Sequence, residues 1–155
     1  MRTALKYVHI IAFAGFLGSI AVYTAISIVS EGAGVVETAF ARKIISVGTA
    51  YITIPCMWFA VLSGLAMVAA KPKLMRNTRL WAKMLIGLLV VVNTYTFIAP
   101  AIDQLLAVTA AAISGADVAN EVKSAYMRES VAGAINVLMI LTAAFLGLRL
   151  TAPKS

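Results

Sequence analysis

Four long apolar stretches constrain the fold of this chain more than any other feature. They run from about residue 4 to 29, 44 to 70, 80 to 105 and 130 to 150. A helix of about 20 predominantly apolar residues matches the thickness of the hydrocarbon core of a bilayer. The sequence therefore predicts an all-α membrane four-helix bundle, with residues 1–155 forming a single transmembrane domain.

Composition agrees with this fold class, since 62% of the residues are hydrophobic and only 12% are charged. The first stretch is well beyond the length of a signal-peptide core, which is about 7–15 residues. We therefore expect it to be a retained membrane anchor. The single cysteine, Cys56, has no second cysteine with which to form a disulfide within the chain.

Charge placement predicts the orientation in the membrane. The N-terminus, the segment 71–79 with the start of the third stretch, and the C-terminus carry basic residues only: Arg2, Lys6, Lys71, Lys73, Arg76, Arg79, Lys83, Arg149 and Lys154. The opposite side carries all six acidic residues with four basic ones: Glu31, Glu37, Asp103, Asp117, Glu121, Glu129, Arg42, Lys43, Lys123 and Arg128. The positive-inside rule then predicts that both termini are cytoplasmic. The net charge of +7 is explained by topology, and no nucleic-acid partner is expected.

Helical periodicity divides the first stretch into two faces. One face is aromatic and carries the only histidine: His9, Phe13, Phe16, Ile20, Tyr23 and Ser27. The opposite face is lined by small residues: Ala14, Gly18, Ala21 and Ala25. Small residues spaced by four let another helix approach closely, so this second face is the predicted packing face.

A rise of 1.5 Å per residue predicts which polar side chains share a depth. His9 and Lys83, with Ser63, should form a layer in the cytoplasmic leaflet. Asn93 and Asn136 should lie together near the midplane and face the bundle interior, because a lipid-facing amide would lack a partner. Simpler interpretations remain open. His9 can sit at headgroup level, Lys83 can extend its ammonium to the cytoplasm, and the asparagines can serve only in helix packing. Asp103 and Glu129 are expected near the outer interface, and Pro55 is expected to kink the second helix.

Three segments resemble a family of small bacterial four-helix integral membrane proteins. They are "LKYVHIIAFAGFLGS", "ITIPCMWFAVLSGLAMV" and "RLWAKMLIGLLVVVN", and the resemblance covers about residues 4–105. The family includes the membrane protoporphyrinogen oxidase of haem biosynthesis and the copper-resistance D membrane proteins. The resemblance implies a multi-pass protein of the bacterial cytoplasmic (inner) membrane. It also implies that His9 and Lys83 match the functional, catalytic pair of the oxidase, which binds a haem-type porphyrin.

The leading hypothesis is therefore an integral membrane protein that binds haem b or a related porphyrin and has a redox role. His9 is the expected iron ligand, with its ring pointing inward between the first and third stretches, near Lys83. Lys83 and Arg79 would pair with the propionates, and Phe13 and Phe16 would cover the porphyrin. With one histidine per chain, the iron would be five-coordinate, take another ligand, or be shared in a homodimer. Whether the chain is an enzyme, an oxidoreductase resembling the oxidase, stays open.

Two other classes of function remain as alternatives. The first is a non-catalytic membrane subunit or assembly factor of a larger complex, which would use the small-residue faces to dock its partner. The second is a permease for a small molecule or ion, for which the only support is a polar stripe along the third stretch. Four spans without an inverted repeat are unusual for a transporter.

Overall fold

The computed structural model of the chain describes residues 2–70 and 76–151. Its α-helices are α1 (Arg2–Ser30), α2 (Val35–Gly48), α3 (Ile54–Ala69), α4 (Thr78–Asn93), α5 (Ala99–Ile113) and α6 (Ala119–Thr151). No β-strand occurs in this part of the chain, which confirms the all-α class. Three of the basic residues behind the predicted orientation lie outside the described residues: Lys71, Lys73 and Lys154.

These helices combine into four long segments, because α2 continues into α3 and α4 continues into α5. We refer to Thr3–Ser30, Val35–Ala69, Thr78–Ile113 and Ala119–Gly147 as spans one to four. Each span is long and apolar enough to cross a membrane. The described part of the chain therefore has the architecture of a multi-pass membrane bundle, as predicted.

The spans are longer than the apolar stretches suggested. Span two begins at Val35 instead of about residue 44, span three ends at Ile113 instead of about 105, and span four begins at Ala119 instead of about 130. The extensions contain charged residues such as Arg42 and Glu129, which interrupt the apolar pattern. The helices nevertheless continue through these positions. Arg42 and Glu129 form an ion pair between spans two and four, and Arg42 also donates to Ser27 of span one.

A π-helical turn precedes a proline in both spans two and three. The turns are Thr49–Thr53, before Pro55, and Thr94–Ile98, before Pro100. In each turn, the residue before the proline donates its N–H to the carbonyl five residues back, Ile54 to Thr49 and Ala99 to Thr94. Proline offers no N–H, so a wider turn re-routes the backbone hydrogen bonds. The sequence predicted a kink at Pro55; the turn at Pro100 was not anticipated.

The spans pack in an antiparallel arrangement. α1 lies along α3, α4 lies along α6, and α5 packs against both α2 and α6. Near the middle, one buried residue from each span forms a shared apolar core: Phe16, Met57, Val90 and Ile140. This core joins the pair of spans one and two to the pair of spans three and four.

Span one packs with the face opposite to the one we expected. Phe16 and Ser19 on its aromatic face are buried within the bundle. The small-residue face, with Ala14, Gly18, Ala21 and Ala25, is exposed. The prediction that this face packs within the bundle is therefore wrong. In lipid, van der Waals packing between helices and not removal from water drives association, and Phe16 makes more such contacts in the core than alanine or glycine could.

The two ends of the bundle have different polar groups. At the end where α1 begins and α6 ends, His9 lies beside Ser63 and Lys83 lies beside Gly147; we call this the basic end. At the other end, Arg42 lies between Ser27 and Glu129; we call this the acidic end. Both described chain ends therefore lie on the same side of the bundle.

Candidate functional site

The imidazole of His9 is fixed by two acceptors on span two. Its Nδ1 lies 2.8 Å from the carbonyl oxygen of Ala60 and 3.1 Å from Oγ of Ser63. A carbonyl oxygen can only accept a hydrogen bond, so Nδ1 is the donor and carries a proton. In the neutral ring, the lone pair is then on Nε2.

The ring lies against Gly64 of span two. A Cβ placed on Gly64 would lie 3.4 Å from Cε1 of His9, which is van der Waals contact. The ring is half-buried, and within the described residues its Nε2 has no hydrogen-bond partner. A histidine that donates through Nδ1 to a backbone carbonyl while Nε2 remains free has the usual arrangement of a metal-ligating histidine.

The position of His9 differs from our expectation in one respect. We expected the ring to point between spans one and three, but it is hydrogen-bonded to span two. The level of His9 along α1, beside Ser63, was predicted correctly. The rotation of α1 about its axis, which sets the span that His9 faces, was not. Ser63 and the backbone of Ala60 supply the acceptors that hold the imidazole N–H on span two.

Lys83 belongs to the same layer, as predicted. It is half-buried on α4, and its ammonium is close enough for its charge to act on the imidazole of His9. The side chain runs over Gly147 of α6, where an added Cβ would lie 2.9 Å from Nζ. Spans one to four thus all contribute to the basic-end layer through His9, Ser63, Lys83 and Gly147.

The other predicted ligand residues, Arg79, Phe13 and Phe16, differ in how deeply they are buried. Arg79 is exposed in the first turn of α4, where its backbone N–H donates to the side chain of Asn77. Phe13 is half-buried and packs against the central core. Phe16 is 4% exposed and forms part of that core, and its contact with a bound ring stays a prediction.

The asparagines lie inside the bundle, which confirms the prediction that both face its interior. Asn93 donates to the carbonyl of Ala132 at 2.9 Å, and Asn136, only 1% exposed, donates to Oγ1 of Thr94 at 3.2 Å. Both bonds join span three to span four. The two asparagines do not bond to each other, and Oδ1 of Asn136 has no partner within the described part of the chain.

A third polar cluster, at the acidic end, was missed. Arg42 is 4% exposed, and its NH1 forms a 2.8 Å ion pair with Glu129. Its NH2 donates to Oγ of Ser27 at 2.8 Å, and its guanidinium lies 5.3 Å from the centre of the Tyr126 ring. Glu129 is therefore largely buried and paired, and not simply an interface residue as we expected.

A signal for this cluster is present in the sequence. Arg42, Ile45 and Thr49 are spaced by three and four residues, and all three are buried. The neighbouring Lys43, which is off this stripe, is exposed. The helical position of Arg42 thus indicated burial. The hydropathy pattern concealed this, because the predicted apolar stretch begins only at about residue 44, after Arg42.

The donor set at the basic end limits the kind of metal site that the chain can form. Among the described residues, no group of three or more histidine, cysteine, aspartate or glutamate side chains is close enough to hold a metal ion. His9 alone does not form a protein-only metal centre. It does fit the axial position of a metal that is held mainly by another group, as iron is held in a porphyrin.

Comparisons with known proteins add no further assignment, because no protein-family model, no curated protein and no solved structure matches the chain. The four-span fold is defined by the structure itself. The family resemblance drawn from the three sequence segments remains a prediction.

Proposed function

We propose that this protein is an integral membrane haem- or porphyrin-binding protein with a redox role. The observation that carries the proposal is the state of His9: Nδ1 is held by Ala60 and Ser63, and Nε2 has no partner among the described residues. That arrangement fixes the tautomer and orients the ring for ligation through Nε2. Bound haem would supply one-electron redox chemistry at its iron.

Charged groups beside His9 fit the propionates of a porphyrin. Lys83 lies in the same layer, and Arg79 is one helical turn nearer the basic end on the same helix. Lys83 is half-buried, whereas Arg79 is exposed in the first turn of α4, so the two cations could pair with two propionates at different levels. Phe13 provides an aromatic surface one turn from His9, whereas Phe16 supports the site from within the core.

The test of this proposal is an absorption spectrum. The protein, expressed with haem precursor and purified in a neutral detergent, should carry an intense haem band in the visible range that shifts on reduction with dithionite. Apoprotein supplied with hemin should regain the same band at about one haem per chain, or one per two chains if a homodimer shares the iron. Colourless protein that takes up no hemin would contradict the proposal.

We also infer that the protein lies in the bacterial cytoplasmic membrane, with the basic end in the cytoplasm. The described basic end carries Lys6, Arg76, Arg79 and Lys83 without a carboxylate, as the positive-inside rule requires. Reporter fusions after residue 75 and after residue 155 should report the cytoplasm, and a fusion at Gly115 should report the outside. An external signal from the fusion after residue 75 would reverse the assignment.

The rival function, a non-catalytic membrane subunit or assembly factor, is favoured by a separate observation. Ala14, Gly18, Ala21 and Ala25 form an exposed small-residue face on span one, and an added Cβ at Gly18 would meet no atom within 4 Å. Such a face lets a helix of another chain approach closely in lipid. If the purified protein is colourless but its native mass in membranes exceeds that of one chain, the rival function takes precedence.

A further inference from the structure

Spans two and three carry the same interruption at the same level. In each, a π-helical turn begins at a threonine and ends two residues before a proline: Thr49–Thr53 before Pro55, and Thr94–Ile98 before Pro100. The helix on the acidic side of the turn has 14 residues in span two and 15 in span three, and the helix on the basic side has 16 in both. With a fixed rise per residue, the two turns lie at one level near the middle of two antiparallel spans.

Each π-helical turn is tied to the uninterrupted span beside it. The first turn contacts α1 and the second contacts α6. Thr53 donates its hydroxyl to Oγ of Ser19 at 2.9 Å, and Asn136 donates to Oγ1 of Thr94 at 3.2 Å; all four residues are buried. α1 and α6 run without interruption, and we call them the frame. The two turns are therefore pivots that are held on this frame.

The helices on the two sides of the turns pack differently. On the basic side, α3 lies along α1 and α4 lies along α6. On the acidic side, α2 packs more extensively against α5 than against α1, and α5 packs more extensively against α2 than against α6. The side-chain hydrogen bonds of α5 in the described chain come from Thr109 and close on its own backbone. α2 and α5, which we call the outer pair, thus form a unit.

Arg42 supplies the strongest polar tie between the outer pair and the frame. Its guanidinium donates to Ser27 of α1 and forms the 2.8 Å ion pair with Glu129 of α6. A weaker tie joins the hydroxyl of Thr38 to the carbonyl oxygen of Ser30 at 3.2 Å. Both straight spans are therefore fastened to α2 through one guanidinium at the acidic end.

A cavity of about 340 Å³ lies where the outer pair meets the frame. Its wall includes residues of α2, α5, α6 and the end of α1: Ser30, Thr38, Arg42, Thr109, Lys123 and Tyr126. Because α2 and α5 line the cavity together with α6, a tilt of the outer pair away from α6 would enlarge the cavity and its opening.

We propose that α2 and α5 swing as one unit about the two π-helical turns and open the cavity at the acidic end, and that the Arg42–Glu129 ion pair is the latch that holds them closed. Helices bend most readily at prolines and π-helical turns, and hinge motions of domains use a few such positions. In membrane transporters, interrupted helices of opposite direction also line the moving parts. The motion takes place at the end opposite to His9, so the proposal holds or fails independently of haem binding.

The test measures the opening by the rate at which a membrane-impermeant maleimide modifies a cysteine on the cavity wall. Cys56→Ser removes the only native cysteine, and Thr109→Cys then places a thiol on α5 at a position that is 3% exposed. Protein in lipid nanodiscs should react slowly. Glu129→Gln cuts the latch and should raise the rate about tenfold, within the usual range of conformational coupling. Pro55→Ala with Pro100→Ala restores the missing N–H groups and should lower the rate about fivefold.

Val90→Cys in the same Cys56→Ser background is the control for a general loosening of the bundle. Val90 is 5% exposed and lies on α4, on the basic side of the turn, so its thiol should stay unreactive in every variant. Glu121→Gln replaces an exposed carboxylate of α6 and should not change the rate. Where Glu129→Gln does not fold, Ser27→Ala removes the other arm of the latch and should raise the rate about threefold, the value of one hydrogen bond.

The proposal is wrong if cutting the latch leaves the modification rate of the Thr109→Cys protein unchanged. It is also wrong if the Val90→Cys protein gains reactivity in parallel, because the bundle would then loosen as a whole. A rate that Pro55→Ala with Pro100→Ala does not lower would show that the motion does not take place at the π-helical turns, and would likewise overturn the proposal.

Discussion

Glu129→Ala should lower the free energy of unfolding by about 3–5 kcal/mol, the usual cost of removing one partner of a buried ion pair. The guanidinium of Arg42 is 4% exposed and would lose its only carboxylate partner among the described residues, at a 2.8 Å contact. The hydroxyl of Ser27 and the face of Tyr126 would remain beside the guanidinium. Neither neutralises the positive charge.

This loss of stability can be measured by titrating the protein in mixed micelles with a denaturing detergent while helicity is followed by circular dichroism. Glu121→Ala is the matched control, because Glu121 lies two turns earlier on α6 and is exposed. It should change stability by less than about 0.5 kcal/mol. Equal stability of the two variants would mean that Arg42 finds another partner.

A double variant separates the charge effect from the packing effect. Replacing Arg42 by Met and Glu129 by Leu removes both charges and leaves side chains of similar volume. Exchanging a buried ion pair for apolar residues is often neutral or stabilising. The double variant should therefore be more stable than Glu129→Ala alone. If it is less stable, the network with Ser27 contributes more than the charge pair does.

His9→Ala should abolish the haem absorption band, because the chain contains no other histidine. The folded bundle should persist, because the variant loses only the hydrogen bonds to Ala60 and Ser63, which is a cost of about 1–2 kcal/mol. Visible absorption and circular dichroism of the same sample measure the two effects together. Tyr7→Ala is the control for a lost ring on the same helical turn, since Tyr7 is 63% exposed.

Two further variants distinguish ligation from general disruption of the site. Lys83→Ala should weaken haem retention about tenfold and leave the band position unchanged, because Arg79 can still pair with a propionate. Ser63→Ala should leave haem bound and shift the reduction potential, because it removes one acceptor of the Nδ1–H. A His9→Ala protein that retains the wild-type band would show that the iron ligand lies elsewhere.

The chemistry of the bilayer made the helical architecture readable from sequence. A backbone in lipid must satisfy its own hydrogen bonds. An apolar stretch of this length does so by forming an α-helix. Depth was also readable, because the rise per residue is fixed. That is why His9, Ser63 and Lys83, from three different spans, were correctly assigned to one layer. The interior positions of Asn93 and Asn136 followed from the same arithmetic and from the cost of an unpaired amide.

What the sequence by itself determined about this protein is therefore the number of spans and the common level of His9, Ser63 and Lys83 along them. Only the tertiary structure decided which spans are neighbours and how each helix is rotated. The bond from His9 to Ala60 and the ion pair of Arg42 with Glu129 join residues 51 and 87 positions apart. Neither follows from periodicity, because rotation and pairing depend on how the large side chains interlock. In span one, the burial of Phe16 and Ser19 decided this rotation, and it left the small-residue face exposed.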